Sequence, residues 1–525
     1  MKIALIAPPY PLEEAPSPPL GLSIIAAICE QCDAEVLVID YIVTMYSSEK
    51  LKKQLKDFEP DIIGTNSVTM NFNKAAEILS EAKKIMPNAL TLMGGPHVSF
   101  DAENTLMKFP GIDIIVMGEG EEVISQLISS IKKNESWKDL QGIAFRNNNE
   151  ILINEKGPFI ANLDSLPIPA RHLLPLSKYR ALGFPISITT SRGCPNMCIF
   201  CLGRKMVGFK VRYRKISTIL DEIESLVDLG FTVINVADDI FTVKKERVIE
   251  FCQGIKERKI NFSWSVFSRV NTIDEEMIEI MKDAGCTALS FGIESGNKEM
   301  LKRVKKGITT EQVYRADKIC KDKGFRAHGS FIAGLPGETI ESFQDSLKMQ
   351  KDLNMEFGCH ILAPFPGTTV REEIENYDLM VHSDDWDLYD ANRAIISTSS
   401  LKSEDIMKLV DESHKDILDE WEDVKIRFET GETSDDETLR VLARFRTKLI
   451  YSILSEDLIE NHGLHEGSHT SALSRLITFL AKHTDVEETY VKIFISKLIE
   501  EDLIQYREFD NTTEFFWKDF NSSVA

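Results

Sequence analysis

Mostly apolar runs alternate with helix-periodic segments through the first 135 residues of the chain. Residues 2–7 form one such run, as a buried parallel strand does, and others follow at 61–64, 90–94 and 113–117. Apolar positions recur at helical spacing between them, for example in residues 75–85. This order predicts a doubly wound, Rossmann-like α/β sheet, in which ligands bind at the carboxyl ends of the strands.

The same alternation returns between residues 181 and 400. A β-branched run at 185–190 predicts a strand, and a helix-periodic segment that stops at Gly230 follows it. Four more strands are predicted at 232–237, 288–294, 327–334 and 358–362. Strands that alternate with helices indicate a parallel sheet with its site at the strand carboxyl ends.

The segment between these two halves predicts a linker with its own β-hairpin. Residues 142–153 give a strand, a turn at 147–149 and a second strand. Residues 166–171 should be extended, because a residue that precedes proline avoids the helical conformation.

Beyond residue 400 the pattern is mostly helical. We expect an acidic helix at 401–428, an amphipathic helix at 439–453 and two further helices before a short strand near 503–506. We favour a helical cap over the preceding α/β unit, with a winged-helix-like tail as the alternative. The predicted domains are 1–135, 136–180, 181–400 and 401–525.

Three cysteines carry the clearest chemical signal. Cys194, Cys198 and Cys201 have the spacing Cys-x3-Cys-x2-Cys, with Phe200 before the last of them. Three thiolates can hold three irons of a [4Fe-4S] cluster and leave the fourth iron open to a small molecule. A structural zinc site is the alternative, but zinc prefers four ligands, and no histidine lies near this loop in the sequence.

This loop resembles the cluster motif of radical S-adenosylmethionine (SAM) enzymes. The resemblance implies a partial (β/α)6 barrel of TIM type, in which the cysteine loop follows the first strand. It also implies SAM contacts from residues at the ends of later strands, among them the glycine-rich run 330–338. The expected SAM-binding residues are Phe200, Ala237, Asp238, Asp239, Glu294, Ser330, Gly334 and Pro364.

The loops predicted at the carboxyl ends of the first sheet carry a second resemblance. The segments 18–21, 94–97 and 118–121 resemble, in order and spacing, the cobalamin-binding domain that precedes the barrel in one radical SAM subfamily. A plain nucleotide-binding fold is less favoured, because no Gly-x-Gly-x-x-Gly follows the first strand. The expected cobalamin-binding residues are Tyr10, Leu20, Gly21, Ser67, Val68, Thr69, Gly94, Gly95, His97, Gly118, Glu119 and Glu121.

His97 does not lie in the Asp-x-His-x-x-Gly motif that supplies a histidine to cobalt in other cobalamin proteins. We therefore favour a histidine that forms local hydrogen bonds over one that ligates cobalt. Many members of the subfamily lack that motif, so its absence is compatible with cobalamin held without a protein histidine.

The charge balance narrows the classes of binding partner that we expect. The chain of 525 residues has 61 Lys and Arg against 83 Asp and Glu, a net charge of −22. Such acidity disfavours nucleic acid and anionic membranes as general partners. No apolar run is long enough to span a bilayer and no signal peptide is evident, so we expect a cytoplasmic protein without a transmembrane segment.

The resemblance implies a cobalamin-dependent radical SAM methyltransferase. Such an enzyme reductively cleaves SAM to a 5′-deoxyadenosyl radical and methylates an unactivated carbon through methylcobalamin. It uses an external one-electron reductant of the flavodoxin or ferredoxin type. The alternative is a cyclase or oxidative rearrangement without net methyl transfer, as in the bacteriochlorophyll ring cyclase. A small molecule, a lipid or a peptide could be the substrate, and no side chain is assigned a catalytic role because the cofactors perform the hard steps.

Overall fold

Two large sheets organise the chain in a computed structural model that describes residues 1–148 and 150–519. The first has seven strands in the order β2-β1-β3-β4-β5-β6-β7. Its strands are β1 (Lys2–Ala7), β2 (Glu35–Asp40), β3 (Ile62–Asn66), β4 (Leu90–Gly94), β5 (Ile114–Val116), β6 (Ile143–Asn147) and β7 (Glu150–Ile153). Its helices are α1 (Leu20–Gln31), α2 (Ser48–Phe58), α3 (Phe72–Ile85), α4 (Ala102–Lys108) and α5 (Glu121–Lys133).

The five strands β1 to β5 pair in parallel, as the doubly wound pattern predicts. The predicted linker hairpin is β6 and β7, and it extends this sheet because β6 pairs antiparallel with β5. Asn149, in the predicted turn, lies outside the described residues. Apolar layers on both faces of the sheet bury the strands, which explains their nearly continuous apolar sequences.

The second sheet has six parallel strands in the order β8-β11-β12-β13-β14-β15. The strands of this region are β8 (Ile186–Ile188), β9 (Ser191–Arg192), β10 (Arg212–Tyr213), β11 (Val233–Val236), β12 (Ser263–Ser268), β13 (Cys286–Glu294), β14 (Arg326–Ala333), β15 (Glu356–Ile361), β16 (Met380–Val381) and β17 (Ile396–Ser397). The helices are α6 (Leu176–Leu182), α7 (Gly203–Val207), α8 (Ile216–Asp228), α9 (Lys245–Arg258), α10 (Glu275–Asp283), α11 (Lys298–Arg303), α12 (Thr310–Asp322), α13 (Ile340–Asp352) and α14 (Thr369–Glu372).

This sheet is the partial barrel of six strands that the sequence implies, including one strand the sequence pattern did not reveal. In β12, Trp264 and Val266 are buried, whereas the alternate positions Ser263, Ser265 and Phe267 are half-buried or exposed. This alternation breaks the continuous apolar run by which the other strands were recognised. Helices α12 and α13 each begin with a capping box, which fixes the point where each inter-strand loop ends.

The last part of the chain contains α15 (Ser403–Thr430), α16 (Asp435–Ser455), α17 (Leu458–His462), β18 (Leu464–Glu466), α18 (His469–Thr484), α19 (Glu488–Glu500), β19 (Ile504–Phe509) and β20 (Thr512–Trp517). Helix α15 packs on the edge strand β15 of the barrel. The remainder forms an antiparallel sheet in the order β18-β20-β19 beneath its helices.

The order helix, strand, helix, helix, strand, strand is that of a winged-helix module. This tail therefore matches the alternative, a winged-helix-like module, rather than the favoured helical cap, and β19 covers the short strand predicted near 503–506. No helix within residues 1–148 and 150–519 is long and apolar enough to cross a membrane.

Candidate functional site

The cysteine loop is anchored by backbone hydrogen bonds on three sides. The N–H of Cys194 donates to the carbonyl of Gly208 at 3.0 Å. Ile199 donates to the carbonyl of Val304 at 3.1 Å, and its own carbonyl accepts from Val370 at 3.0 Å. Three segments that follow the loop in the chain thus fix its path at the carboxyl end of the barrel strands.

The three thiols lie close enough to interact electrostatically. The pKa of Cys201 is raised to about 11, mainly by burial and to a smaller extent by the nearby thiols of Cys198 and Cys194, while the Gly203 N–H opposes the shift. The Gly203 N–H donates to the Cys201 sulfur at 3.4 Å, and the Asn196 side-chain amide donates to the Cys194 sulfur at 3.5 Å. Amide donors of this kind stabilise negative charge on cluster sulfurs.

The spacing of the thiols also bears on the zinc alternative. Across the described chain, no three His, Cys, Asp or Glu side chains are grouped tightly enough to hold one metal ion. A cubane cluster holds its cysteine ligands farther apart than a single ion does, because each thiolate binds a different iron. The arrangement is therefore compatible with a cluster held by the three thiolates.

Two aspartates at the end of β11 support the start of this loop. The buried Asp238 carboxylate accepts four hydrogen bonds, from the backbone N–H and hydroxyl groups of Thr190 and Ser191, at 2.5 to 3.0 Å. Asp239 accepts from the Gly193 N–H at 3.2 Å. The loop thus occupies the Asp238 carboxylate, so a SAM contact from this segment would come from backbone groups, including those of Ala237. The Ala237 N–H itself donates to the Ile188 carbonyl at 2.8 Å.

Glu294 stands beside two buried cations that the sequence pattern did not reveal. It follows an irregular pairing between β13 and β14 and has a left-handed backbone with φ of 70°. Its carboxylate accepts from the Lys306 ammonium at 2.6 Å. Arg269 donates to the Lys306 carbonyl, and both cations lie near the Cys198 thiol.

Phe200 completes this group, with its ring centroid 6.0 Å from the Lys306 Nζ. The sequence does contain one signal for Arg269, since it directly follows a barrel strand at the carboxyl end where sites form. Because β12 was not predicted from the sequence, Arg269 was not identified as a site residue. Two cations beside the cluster loop are suited to a negatively charged ligand group.

The glycine-rich run forms a tight turn after β14. Gly334 has φ of 81°, and a Cβ there would come within 2.8 Å of Ile396, so this position requires glycine. Ser330 is half-buried in β14, and Pro364 is buried just after β15. These three residues occupy neighbouring strand ends, where the resemblance places a SAM-binding surface.

The buried Glu338 carboxyl holds the Gly334 turn from behind. Its Oε2 accepts from the Gly334 N–H at 2.7 Å, whereas its Oε1 has no hydrogen-bond partner within the described chain. Burial raises the pKa of Glu338 from 4.5 to about 8, and the two backbone donors only partly oppose it. The folded protein therefore holds this carboxyl mostly neutral at pH 7.

Because the pKa of Glu338 is higher in the folded chain than in the unfolded one, its contribution to stability is complete below pH 4.5 and is lost as the pH rises to about 8. Glu338→Gln removes this titration, so its free energy of unfolding should fall less with pH across that window. Denaturant unfolding at several pH values measures the difference, with the exposed Glu341→Gln as control. Equal slopes in the wild type and Glu338→Gln would contradict the assignment.

A cavity of about 270 Å³ lies at the carboxyl ends of β3, β4 and β5. The predicted cobalamin-binding residues that line it are Gly21, Gly94, Gly95, Gly118, Glu119 and Glu121. Arg192, Met206 and Val207 of the barrel line the same cavity. Its volume suits a flat group rather than a whole molecule the size of cobalamin.

Glycines shape this cavity, which we call the cradle. A Cβ added at Gly21 or Gly118 would meet no atom within 4 Å, so both positions face open space. Gly95 has the opposite role, because a Cβ there would come within 2.3 Å of the Ser67 carbonyl oxygen. The space that side chains would fill is thus kept free for a ligand, which fits part of a bound cobalamin.

The other residues predicted to bind cobalamin lie outside this cavity. Tyr10 lines a larger cavity between the N-terminal sheet and α16, and Leu20 lines a small gap against the linker. Ser67 is buried, and its hydroxyl has no hydrogen-bond partner within residues 1–148 and 150–519. Val68 is 37% exposed, and Thr69 lies 3.2 Å from the His97 ring nitrogen.

His97 is enclosed by aromatic rings rather than directed at the cavity. It stacks on Phe72 with a centroid distance of 3.8 Å and meets Trp386 edge-on at 5.0 Å. Burial lowers its pKa, which Asp101 opposes from 3.7 Å. This geometry agrees with the local hydrogen-bonding role that the sequence favoured over cobalt ligation.

A buried ion-pair network connects the cavity with the cysteine loop. Glu119 pairs with Arg192 at 3.2 Å and with Arg212 at 2.8 Å, and Glu121 pairs with Arg192 at 2.6 Å. Arg192 of β9 lies just before the cysteine loop, and Arg212 of β10, which follows the loop, pairs with it across the two-stranded sheet. We call these four residues the arginine clamp. The carboxylates of Glu119 and Glu121 are thus committed to ion pairs with the barrel.

Two family matches cover the two halves of this site. Residues 14–128 match the B12 binding domain, and residues 188–349 match the radical SAM superfamily. An uncharacterized methyltransferase of Pyrococcus horikoshii is 34% identical over 78% of this chain and 91% of its own length. The anaerobic magnesium-protoporphyrin IX monomethyl ester cyclase of Rubrivivax gelatinosus is 30% identical over 65% of this chain and 63% of its own.

A similar fold occurs in the solved structure of OxsB, a cobalamin-dependent SAM radical enzyme with aqua-cobalamin and SAM bound. The TM-score is 0.68 at 19% identity, over 95% of this chain and 80% of that one. This likeness concerns the fold, whereas the sequence relatives and the family matches concern descent. The chain therefore belongs to the cobalamin-dependent radical SAM enzymes, whose cofactors are a [4Fe-4S] cluster, S-adenosylmethionine and cobalamin.

Proposed function

We propose that this enzyme is a methyltransferase that acts on an unactivated carbon. When bound, the cofactors supply reductive cleavage of SAM to a 5′-deoxyadenosyl radical and transfer of a methyl group from cobalamin. The observation that carries the proposal is the arginine clamp, because it fixes the cradle of the N-terminal sheet directly beside the cysteine loop. The 34% identity to a protein named as a methyltransferase supports the same reaction class.

In this proposal each part of the chain has a positional task. Cys194, Cys198 and Cys201 hold the cluster. Part of cobalamin is held by the predicted residues that line the cradle, namely Gly21, Gly94, Gly95, Gly118, Glu119 and Glu121. The buried cations Arg269 and Lys306 are suited to the carboxylate of SAM, with Glu294 orienting Lys306 at 2.6 Å. The proposed domains remain 1–135, 136–180, 181–400 and 401–525.

Gly118→Leu tests the cradle. Leucine at Gly118 would extend into the open space in front of this residue and should weaken cobalamin binding by at least about tenfold, because a filled cavity excludes the ligand. Gly431→Leu is the matched control, since Gly431 has φ of 73° against 75° at Gly118 and also faces open space, but far along the chain. Absorbance of retained cobalamin after desalting measures binding. Equal loss in both variants would point to backbone strain instead.

The reaction class is tested with the reconstituted enzyme, a one-electron reductant of the flavodoxin or ferredoxin type, and SAM labelled in its methyl group. Mass spectrometry of candidate small-molecule, lipid and peptide substrates should detect a labelled product together with 5′-deoxyadenosine. 5′-Deoxyadenosine with an unlabelled, cyclised or oxidised product would instead favour the alternative, a cyclase or oxidative rearrangement. The 30% identity to the Rubrivivax cyclase is the observation behind that alternative.

A further inference from the structure

A larger cavity, of about 890 Å³, lies between the N-terminal sheet and helix α16. Its walls are the loops that follow β1 and β2 and the face of α16 toward them. Four tyrosines line it, so we call it the tyrosine cavity: Tyr10, Tyr41, Tyr46 and Tyr451. Its volume is that of a small-molecule site, and it shares no lining residue with the cradle.

Two of the four tyrosines have uncommitted hydroxyl groups. Tyr41 donates to Gln54 at 2.8 Å, and Tyr46 donates to Glu81 at 2.7 Å. The hydroxyls of Tyr10 and Tyr451 have no hydrogen-bond partner within the described chain. Burial raises the pKa of both phenols, so both keep a proton to donate. The cavity thus combines aromatic walls with free donors.

The charge of the cavity is opposite to that of the chain. The charged lining residues are Lys74, Arg444 and Lys448 against Glu13, in a chain whose net charge is −22. Lys448 is 2.9 Å from Asp485, and Lys74 is 3.9 Å from Glu77.

Arg444 is the cation of this lining that has no carboxylate partner within residues 1–148 and 150–519. Its guanidinium stacks 3.5 Å from the Trp421 ring centroid, which fixes the group in place without neutralising its charge. A fixed, uncompensated guanidinium at the mouth of an aromatic cavity favours an anionic ligand.

We propose that the tyrosine cavity binds a small anionic molecule with a flat apolar part, at a site separate from the cradle and the cysteine loop. The cavity adjoins the loop after β1 that carries Tyr10, and Tyr451 lies 6.3 Å from Phe184, which precedes the amino end of the first barrel strand. The winged-helix tail would then act as one wall of this binding site, through α16. The anionic group can be a carboxylate or a phosphate, since the same cation and hydroxyls bind either.

Binding of two dyes tests this site without any turnover. 1-Anilinonaphthalene-8-sulfonate is anionic and aromatic, whereas N-phenyl-1-naphthylamine has the same rings and no charge. Arg444→Gln should weaken binding of the anionic dye by about tenfold and leave the neutral dye within about twofold, because one charge-assisted hydrogen bond is lost. Tyr451→Ala should weaken both dyes. Arg440→Gln, on the same helix but paired with Glu420 outside the cavity, should change neither.

Unchanged affinity of Arg444→Gln for the anionic dye would overturn the proposal, as would equal loss of both dyes in that variant. Benzoate and phenyl phosphate should compete with the anionic dye, and failure of both to compete would also overturn it. Circular dichroism of each variant confirms folding. Dye binding as expected without any labelled product in the SAM assay would reject the proposed function alone and leave the anion site intact.

Discussion

Replacing Cys194, Cys198 or Cys201 by alanine is expected to abolish SAM cleavage, with 5′-deoxyadenosine formation falling below detection. Each thiol comes from the same short loop, and the loss of one leaves two ligands for a cluster that already has one open iron. Iron content and the cluster absorbance should fall together. Cobalamin retained after desalting should stay close to the wild-type amount, because most residues that line the cradle belong to the N-terminal sheet and its loops.

Cys252→Ala is a suitable control for this experiment. Cys252 is a buried cysteine of α9 in the barrel core, so its loss removes a thiol and leaves the loop intact. It should retain cluster, SAM cleavage and cobalamin. Loss of cobalamin in the loop variants, to the same degree as loss of cluster, would show that the two cofactor sites do not form on separate domains.

Arg192→Gln is expected to slow SAM-dependent methylation of bound cobalamin by about a hundredfold while cluster and cobalamin loading stay within a few-fold. Arg192 lies just before the cysteine loop and pairs with Glu119 and Glu121 of the cradle, so its loss should leave the distance between the two sites less tightly fixed. Displacements of about 1 Å can cost such a factor when two reacting groups must be aligned. The rate is followed by the absorbance change of cobalamin.

A double-mutant cycle separates positioning from general destabilisation. Arg192 and Glu121 are in contact at 2.6 Å, so the effects of Arg192→Gln and Glu121→Gln should be strongly non-additive. Arg258→Gln is the control, because Arg258 forms exposed ion pairs with Asp221 and Glu224 on the outer helices. Additive effects in the cycle, or a full methylation rate in Arg192→Gln, would contradict the role of the clamp.

The tyrosine cavity and the arginine clamp involve the two outer parts of the chain in different ways. The N-terminal sheet contributes the cradle through β3 to β5 and a wall of the tyrosine cavity through the loops after β1 and β2. The tail contributes the opposite wall through α16. A polar contact also joins them, since Lys50 of α2 pairs with the buried Asp457 that precedes α17.

Several features were predictable because they depend on neighbours in the chain. Four of the five parallel strands of the first sheet and five of the six barrel strands were recognised from contiguous apolar runs, whereas β2 was not predicted. The spacing of the three cysteines and the glycines at 95, 118 and 334 likewise needs no long-range information, because a loop of fixed length and a positive φ are local requirements.

Other features were not predicted, either because their local signal was weak or because they depend on long-range pairing. Strand β12 alternates between buried and half-exposed positions, so it lacked the continuous apolar run and concealed Arg269 at its end. In the tail, β19 and β20 form a local hairpin, but β18 joins β20 across the two helices α18 and α19, so that pairing depends on segments far apart in the chain. The tail therefore matches the winged-helix-like alternative rather than the favoured helical cap.

The sequence by itself determined the two sheets, the cysteine loop, the glycine-rich strand ends and hence the family of the enzyme. Only the tertiary structure decided what the acidic residues and histidine of those loops do. Glu119 and Glu121 meet Arg192, more than 70 residues away, and His97 lies between Phe72 and Trp386. Ion pairs and ring contacts of this kind depend on how whole elements pack, because their partners become neighbours only after the sheets have formed.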